Sequence, residues 1–413
     1  MQIISDLHLH SKHSRGCSKN LDLTNLEKYG KIKGLGLLGT SDFTHPIWQK
    51  ELKSKLIEDE TGIAKTKTGF PFVYQTEISL IYSSKGKGRR IHNVVLAPSF
   101  EVVTQITDEL KKKGRVDYDG RPIFKIPCPD FVEMLRGISK EIEVIPAHIW
   151  TPHFSLLGEY NQFRSVSDGF EDQTKHIHAL ETGISSDPAM NMRVSVLDKF
   201  NLVSFSDSHS FWPWRMGREA TTFELARLTY KNLIKALRSN RCDNPSKNRI
   251  SETLEVNPSY GKYHFDGHRK CGVCFDPVQS RKHSGICPVC KKGLTIGVMN
   301  RVEELASPDR PEGFVLKNVS AKFKSIMPLH ELLSNLYCKG LSTKLVWAEY
   351  NKLLKLGSEF DILLNKSFEE LSSVSDFRIA QAILKNREGT IEVKPGFDGE
   401  YGIPCFPSNE RMI

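Results

Sequence analysis

The chain begins with MQIISDLHLHSKHSRG, residues 1–16, which carries the first signals of both the fold and a metal site. Apolar residues alternate with polar ones over the first half of this stretch, which predicts a short β-strand with successive side chains on opposite faces. His8 and His10 then lie on one face at the end of the strand. Two neutral imidazoles side by side are natural metal ligands. The motif is also typical of two polar residues on a strand edge, so the rest of the chain has to decide.

Similar apolar runs recur up to about residue 240, and each ends in polar residues. The runs are GLGLLGTSDF, FPFVYQTEISLIY, RIHNVVLAP, EVIPAHI, HALETGIS and NLVSFSDSH. Helical patterns such as VVTQITDELKKKG and MRVSVLDKF lie between several of them. Strands that alternate with helices predict an α/β layered or barrel domain with a largely parallel sheet. In such folds the functional side chains gather at the C-terminal ends of the strands.

Potential metal ligands stand where these strands end. They are His8, His10, Asp42, Glu77, His92, His148, Asp207 and His209. Residues with only structural roles would be scattered over helices and loops. Their clustering at one kind of position predicts a metal centre in the first domain.

The composition and pattern of the sequence change after residue 240. A polar connection rich in Pro and Gly leads to CGVCFDPVQSRKHSGICPVC, and helical periodicity returns beyond residue 321 in LVWAEYNKLLKLG and RIAQAILKNREG. We therefore predict three parts: a metal-binding α/β domain at 1–240, a linker with a zinc-binding module at 241–305, and a C-terminal helical domain at 306–413.

Two C-x-x-C pairs mark the second part: Cys271, Cys274, Cys287 and Cys290. Four thiolates at this spacing predict one tetrahedral Zn²⁺, with a role in folding and no open position for water. A redox pair is the alternative for either C-x-x-C, but two pairs together argue against it. The other cysteines are expected to pack in the core: Cys17, Cys128, Cys242, Cys338 and Cys405.

The composition limits the class of protein. A net charge of +9 suggests an acidic partner such as nucleic acid, although a basic enzyme without such a partner fits equally well. No stretch approaches the roughly eighteen apolar residues of a membrane span. The N-terminus lacks the apolar core of a signal peptide. We expect a cytoplasmic protein with no membrane contact, in which disulfides are not expected.

The ordered set of HxH, Asp, Glu, His, His and DxH resembles the PHP family of metal-dependent phosphoesterases. The resemblance implies a distorted (β/α)7 barrel with two or three divalent ions, Zn²⁺, Mn²⁺ or Mg²⁺. It implies one ion held by His8, His10, Glu77 and Asp207, and a second held by Glu77, His92 and His148. Asp42 and His209 would lean towards a third ion.

Two departures from the PHP pattern concern that third ion. Arg15 stands where the family usually carries Asp or His, and Phe43 replaces the histidine of a TDH stretch, with His45 as a potential substitute. The third site is therefore in question. Arg15 could instead pair with a substrate phosphate through its bidentate fork, or it could be a surface arginine.

Longer stretches narrow the match. LETGISSDPAMN, SFSDSHS, KPGFDGEYG and the two C-x-x-C pairs together look like endonuclease Q, a PHP-domain nuclease with a zinc module and a C-terminal helical domain in the same order. The resemblance implies cleavage of damaged double- or single-stranded DNA on the 5′ side of uracil, hypoxanthine, xanthine or an abasic site, leaving a 3′-hydroxyl and a 5′-phosphate. Asp207, Glu77 and His209 would be catalytic, and Asp207 would orient the attacking water.

Three segments are candidates for DNA contacts. FWPWR could supply an aromatic wall or wedge, or could pack the barrel rim. KGKGRR predicts a basic hairpin tip, and SRKH lies within the zinc module. A charge run is more often a solvated face. The candidate residues are Arg15, His45, Lys87, Arg89, Arg90, Trp212, Trp214, Arg281 and Lys282.

Two other functions use the same residues. A small-molecule phosphatase of the histidinol-phosphatase type needs the same metal face, but it needs neither a zinc module nor a helical domain. A nonenzymatic DNA-binding scaffold would use metal only for stability, and the near-complete ligand set argues against it. Recruitment by a sliding clamp stays open, since FPSNERMI shows no clear clamp-binding motif. A monomer satisfies every feature of the sequence.

Overall fold

The computed structural model describes residues 1–239, 247–316, 321–407 and 411–412. The strands are β1 (Gln2–Asp6), β2 (Leu37–Gly39), β3 (Ala64–Lys65), β4 (Pro71–Ser84), β5 (Lys87–Ala97), β6 (Ile123–Phe124), β7 (Glu143–Pro146), β8 (Ala179–Glu181), β9 (Asn201–Val203), β10 (Ala220–Glu224), β11 (Arg249–Glu255), β12 (Asp266–His268), β13 (Val273–Phe275), β14 (Lys322–Ser325), β15 (Val393–Lys394) and β16 (Ile403–Pro404).

The α-helices are α1 (Leu23–Lys33), α2 (Pro46–Lys55), α3 (Phe100–Lys111), α4 (Cys128–Ile138), α5 (Val166–Phe170), α6 (Pro188–Met192), α7 (Tyr230–Arg238), α8 (Pro277–Lys282), α9 (Val298–Leu305), α10 (Leu329–Leu336), α11 (Lys344–Leu353), α12 (Glu359–Leu364), α13 (Phe368–Ser372) and α14 (Phe377–Arg387). Short 3₁₀ turns lie at Glu171–His176, Ser195–Leu197, Pro258–Tyr260, Arg269–Cys271 and Leu354–Leu356.

The main sheet has the order β14-β11-β10-β1-β2-β4-β5-β7. The α/β class predicted from the sequence is confirmed, but the sheet is mixed. Strands β1, β2 and β4 run parallel, whereas β10–β1, β4–β5 and β5–β7 are antiparallel. The cause is local, because a two-residue turn at Lys85 and Gly86, both with positive φ, folds β4 and β5 into a long hairpin.

Strands β8 and β9 lie between β7 and β10 and close the main sheet into a distorted barrel. Ile149, just after β7, donates its N–H to the carbonyl of Glu181 in β8. On the other side, Ser204 donates its N–H to Oγ1 of Thr221 in β10 at 2.9 Å. A side chain thus replaces a backbone ladder at this seam, so the barrel closes without a continuous sheet.

Apolar side chains fill the inside of the barrel. Val73, Val94, Ile145, Val203 and Phe223, each from a different strand, belong to one buried cluster. Helix α7 packs against the same cluster through Leu233, Ile234 and Leu237. The interior is therefore a packed core, and the polar residues at the strand ends face open space at its rim.

The C-terminal helices dock onto the barrel domain. Nζ of Lys33, in α1, lies 2.7 Å from Oε1 of Glu359, and both side chains are buried. Trp212 and Trp214, from the loop before β10, contact the ring of Trp347 in α11. Among the described residues, no helix is long and apolar enough to cross a bilayer.

Candidate metal centre and its cavity

Two groups of potential ligands meet at the rim of the barrel. His8, His10, Glu77 and Asp207 form the first group, and Glu77, His92 and His148 form the second. Within each group the donor atoms all lie within 4.8 Å of one another. The segment after β1 places the first two histidines, and the segments after β7 and β9 place His148 and Asp207. Glu77 and His92 lie within the long strands β4 and β5, so the expectation that every ligand stands at a strand end is wrong for these two. Glu77 belongs to both groups, as the resemblance to the PHP family implies for a bridging carboxylate.

The donor atoms face one another without hydrogen bonds that would satisfy them. Oε1 of Glu77 lies 2.7 Å from Nδ1 of His92 and 3.5 Å from Nε2 of His8. All three of these buried atoms lack a hydrogen-bond partner among the described residues. Leaving such an atom unpaired costs about 1–3 kcal/mol. Two divalent cations, one in each group, would satisfy all three, so the residues present fit the metal centre that the sequence predicts.

Charge and burial at the centre favour the ionised form of the two carboxylates and the neutral form of His92. Burial lowers the pKa of His8, His10 and His148, but the surrounding carboxylates outweigh it and raise all three pKa values. Burial alone would raise the pKa of Glu77, but His92, Arg121 and His8 outweigh it and hold that pKa well below its usual range. The pKa of Asp207 is likewise held well below its usual range despite burial, by His8 and His10. Burial lowers the pKa of His92 to about 4. At neutral pH the carboxylates are thus ionised and the His92 imidazole keeps a lone pair.

Each histidine of the HxH motif is oriented by a buried carboxylate. Nδ1 of His8 donates to Oε1 of Glu181 at 2.9 Å, and Nδ1 of His10 lies 3.2 Å from Oδ1 of Asp42. These contacts direct Nε2 of both rings towards the ligand groups and raise the basicity of the rings. Sequence reasoning missed Glu181. Glu181 could have been found because it is a carboxylate at the end of β8, within the HALETGIS run.

Asp42 and His209 do not join either ligand group. The oxygens of Asp42 accept hydrogen bonds from the N–H of Ser11, the hydroxyl of Ser14 and Nδ1 of His10. Nδ1 of His209 donates to the carbonyl oxygen of Asp207 at 3.0 Å. No third group that includes these two residues assembles in the described part of the chain.

The other residues at the departures from the PHP pattern also lie away from the ligands. Phe43 is fully buried in the core. His45 is buried and stacks on His13, with ring centroids 4.2 Å apart. Arg15 is 79% exposed and pairs with Asp119. Arg121, which sequence reasoning missed, instead reaches the centre and places Nη1 3.0 Å from Oε2 of Glu77.

Three residues at the barrel rim, of which His148 and Asp207 are ligands, have an unusual backbone conformation. Asp42, His148 and Asp207 have φ values of 32°, 31° and 47°, in the region that residues other than glycine seldom adopt. Such strain persists where the surrounding structure fixes the residue, and it clusters at functional sites. The rim of the barrel has this character at three separate strand ends.

A cavity of about 570 Å³ opens from the metal centre. Arg121, His148, Asp207 and His209 line one side of it. Three segments distant in the chain also line it, with Arg215, Arg218, Lys262, Tyr263 and Tyr401. The centre is therefore accessible, and cationic and aromatic side chains contribute to its lining.

The proposed aromatic wall has another position. Trp212 and Trp214 stack with ring centroids 5.3 Å apart and pack against the C-terminal helices. Neither residue lines the cavity. The sequence left open whether these aromatic residues contact DNA or pack at the barrel rim. In the structure they pack at the rim.

The predicted basic contacts differ in exposure. Arg89 is buried over the ring of Phe163, and Arg90 lies over the ring of Tyr160. Lys87 donates to the side chain of Gln162 at the hairpin tip. Arg281 and Lys282, at the end of α8, are exposed. The hairpin arginines thus hold the 154–163 loop, while the zinc-module pair faces solvent.

Among the described residues of the segment predicted to bind zinc, one group of side chains could hold a metal ion. Its four ligands differ from the predicted four cysteines. Cys271, Cys287 and Cys290 converge with His268 in place of Cys274. The alternation of β13 explains this difference: its neighbours Val273 and Phe275 pack with the other cysteines, so Cys274 points away from them. Three thiolates and one imidazole fit a structural Zn²⁺ as well as four thiolates do.

The remaining cysteines only partly follow the expectation of core packing. Cys128 is buried and Cys17 is half-buried. Cys338 and Cys405 are exposed, so the expectation is wrong for both. Cys338 lies in the turn after α10, and Cys405 directly follows β16. Cys242 lies outside the described residues.

Comparison with known proteins gives both sequence relatives and structural neighbours. The family model for the MJ0043 C-terminal domain matches residues 328–390. The uncharacterized protein MJ0043 of Methanocaldococcus jannaschii is 31% identical over 269 residues, which are 62% of this chain but only 31% of that relative. The uncharacterized protein YqxK of Bacillus subtilis is 27% identical over 97% of this chain and 98% of its own length.

Two solved structures share the whole architecture. The lesion-specific endonuclease PfuEndoQ of Pyrococcus furiosus has a TM-score of 0.86 and 27% identity, over 99% of this chain and 96% of its own. A complex of endonuclease Q with a 27-mer duplex substrate, which carries an abasic lesion at the active site, has the same TM-score and identity. It covers 100% of this chain and 98% of its own.

Proposed function

Because the chain belongs by its structure to the endonuclease Q family, we propose that it is a DNA repair endonuclease. It hydrolyses the phosphodiester on the 5′ side of a deaminated base or an abasic site. The deaminated bases are uracil, hypoxanthine and xanthine, and the products carry a 3′-hydroxyl and a 5′-phosphate. The substrate is damaged DNA, and the reaction uses the metal centre at the barrel rim.

One observation carries this proposal. Glu77 is shared by two ligand groups, and His92, His148 and Asp207 of these groups line an open cavity. A pair of ions held close together by one carboxylate is the arrangement that phosphodiester hydrolysis uses. The DNA complex of the structural neighbour, with its abasic lesion at the active site, supports DNA as the polymer that enters the cavity.

Each ligand has an assigned role in this proposal. His8, His10, Glu77 and Asp207 hold one ion, and Glu77, His92 and His148 hold the second. Bound divalent ions supply a water of lowered pKa and neutralise charge on the phosphate. Zn²⁺, Mn²⁺ and Mg²⁺ are the candidate ions at this site.

Asp207 is the carboxylate best placed to act on the attacking water. Its side chain is 32% exposed, whereas Glu77 is fully buried. Its Oδ1 lies 3.0 Å from Nε2 of His10, and both atoms belong to the first ligand group. Asp207 then orients the water and accepts its proton, and His209, which also lines the cavity, is the nearby group that can relay it.

The cavity also suits an extruded nucleotide. Its volume of about 570 Å³ lies within the usual range of ligand sites, and a damaged base in a duplex has to leave the stack to be read. Arg215 and Lys262 supply positive charge, and Tyr263 and Tyr401 supply surfaces for stacking. We therefore place the damaged nucleotide against these four residues.

The phosphatase alternative accounts for less of the chain. A small phosphomonoester needs neither the zinc module nor the helices that pack onto the loop before β10. The likeness to the endonuclease structures also extends over these parts, at 99% of the chain. The metal face alone does not distinguish the two reactions.

The experiment that tests the proposal compares products across lesions. Duplexes with one uracil, hypoxanthine, xanthine or abasic site are incubated with the protein and each candidate ion. Nicks immediately 5′ of the lesion are expected, with ends that a polymerase extends from the 3′-hydroxyl and a ligase seals at the 5′-phosphate. Nicks at random positions, or ends that resist both enzymes, would refute the assigned reaction.

A further inference from the structure

Arg121 reaches the metal centre from a loop that sequence analysis did not single out. Its Nη1 donates to Oε2 of Glu77 at 3.0 Å. This is the one side-chain hydrogen bond of Arg121 within the described ranges. A quarter of the side chain is exposed, at 25%, and it lines the cavity beside Asp207. The rest of its guanidinium donors are therefore available to a ligand in the cavity.

The loop before β6 fixes Arg121 in place. Oδ1 of Asp119 accepts the N–H of Arg121 at 3.1 Å, and the N–H of Gly120 donates to the carbonyl of His13 at 3.0 Å. A Cβ at Gly120 would lie only 2.2 Å from Oδ2 of Asp42. The backbone thus passes directly against the floor of the site, at a distance that only glycine permits.

Beside Arg121, the described residues assemble no third ligand group. The oxygens of Asp42 bind Ser11, Ser14 and His10, and neither Asp42 nor His209 belongs to a group of converging donor atoms. Arg121 brings a permanent positive charge to the same rim.

We propose that Arg121 is a catalytic residue that binds the non-bridging oxygens of the scissile phosphate, in the role that a third ion would otherwise have. The inference rests on the proposed function, since it needs a phosphodiester at the centre. The guanidinium keeps one donor on Glu77 and directs others at the phosphate, in the paired geometry that arginine offers to oxyanions. It stays protonated throughout and stabilises the charge that develops in the transition state.

The test measures coupling between the Arg121 charge and the charge of one phosphate. Binding of an abasic duplex is compared with binding of the same duplex bearing a neutral methylphosphonate at the scissile linkage, for the wild-type chain and for Arg121→Gln. Ca²⁺ replaces the activating ion, and strand integrity is checked on a gel. We expect the methylphosphonate to weaken wild-type binding at least fivefold more than it weakens Arg121→Gln binding.

Metal content and turnover complete the test. The wild-type chain and Arg121→Gln should bind the same number of ions at the barrel rim, two, by elemental analysis. Removing one oxyanion-stabilising donor costs about 10²–10³ in kcat, and we expect a loss of this size for Arg121→Gln. Arg121→Lys keeps the charge without the fork, so it should fold, retain both ions and lose about tenfold.

The control is Arg115→Gln, on the same loop, because Arg115 is exposed and pairs with Asp117. It should behave as the wild type in every assay. Equal losses from the methylphosphonate in both chains, or a third ion at the rim of the wild-type chain, would overturn the proposal. Because binding needs no cleavage, a wild-type chain that couples to the phosphate but never nicks DNA would refute the proposed function alone.

Discussion

Nδ1 of His8 lies 2.9 Å from Oε1 of Glu181, and the same carboxylate accepts the backbone N–H of His148 at 2.8 Å through Oε2. Glu181 is buried, at 1% exposed, and lies at the end of β8. One side chain therefore positions a ligand from each of the two metal-binding groups. Glu181 thus contacts a ligand of each group without being a ligand itself, whereas Glu77 belongs to both groups.

Glu181→Gln should weaken the centre while leaving its ligands in place. The amide keeps the shape of the side chain but is a weaker partner for His8, and loss of such a partner typically costs 10–100-fold in metal affinity. Competition with a chelator, read by elemental analysis, measures the change. Glu101→Gln, on the exposed face of α3, is the matched control. Unchanged affinity in Glu181→Gln would show that His8 needs no orienting carboxylate.

Asp207→Asn should abolish cleavage and spare DNA binding. The amide cannot take a proton from water, and asparagine tolerates the φ of 47° at this position. Single-turnover cleavage of an abasic duplex and fluorescence anisotropy of the same duplex measure the two effects. Asp172→Asn, at an exposed position, should match the wild type. Cleavage by Asp207→Asn at the normal rate would remove Asp207 from the mechanism.

Cys287→Ser should release the ion of the zinc module and loosen the module. Cys287 is fully buried and packs with Val273 and Leu294, which form a core too small to hold the fold alone. Zinc content per chain should fall by one ion, and the module should become sensitive to protease. Cys338→Ser, at an exposed cysteine outside the cluster, should change neither measurement. Full zinc content in Cys287→Ser would exclude this cluster as a metal site.

Lys33→Ala should loosen the C-terminal helices from the barrel domain. The substitution leaves the carboxylate of Glu359 buried without its cation, which typically costs about 3–5 kcal/mol. Thermal unfolding should shift to a lower Tm or separate into two transitions. Lys31→Ala, which removes an exposed i,i+4 pair with Glu27, should cost less than about 1 kcal/mol. A Tm for Lys33→Ala equal to that of the control would contradict this account of docking.

The carboxyl of Glu255 should make stability depend on pH. Burial raises its pKa from 4.5 to about 7, so the folded chain binds a proton that the unfolded chain releases. Its contribution is complete below pH 4.5 and is lost as the pH rises through 7, on the order of 3 kcal/mol at about 1.4 kcal/mol per unit. Glu255→Gln should flatten this fall in denaturant melts at pH 5 to 8, whereas Glu252→Gln on the same strand should not. If the stability of Glu255→Gln falls with pH as steeply as that of the wild type, other groups are responsible for the pH dependence.

The sequence was sufficient for residues that carry their own pattern. The HxH motif and the polar residues at strand ends led to His8, His10, Glu77, His92, His148 and Asp207, which the structure brings together within 4.8 Å in two groups. The turn at Lys85 and Gly86 was predictable for the same reason, because glycine beside a β-rich run is a local signal. These features depend on residues close together in the chain.

The sequence was not sufficient where a role depends on a partner far along the chain. Glu181 binds His8 across 173 positions, and Arg121 binds Glu77 across 44. The choice of His268 over Cys274 follows from the faces of β12 and β13, which spacing does not specify. Arg89 and Trp214 lie in segments that suggest DNA contacts, yet packing against Phe163 and the C-terminal helices buries both. Only the fold decides such cases.

The decisive experiment is cleavage of a duplex with one abasic site. The end-labelled duplex is incubated with Mg²⁺, Mn²⁺ or Zn²⁺ and resolved on a denaturing gel beside an undamaged duplex and the Asp207→Asn variant. We expect one metal-dependent nick immediately 5′ of the lesion, absent from both controls. Intact abasic, uracil and hypoxanthine duplexes with every ion, together with turnover of a chromogenic phosphomonoester, would contradict this expectation.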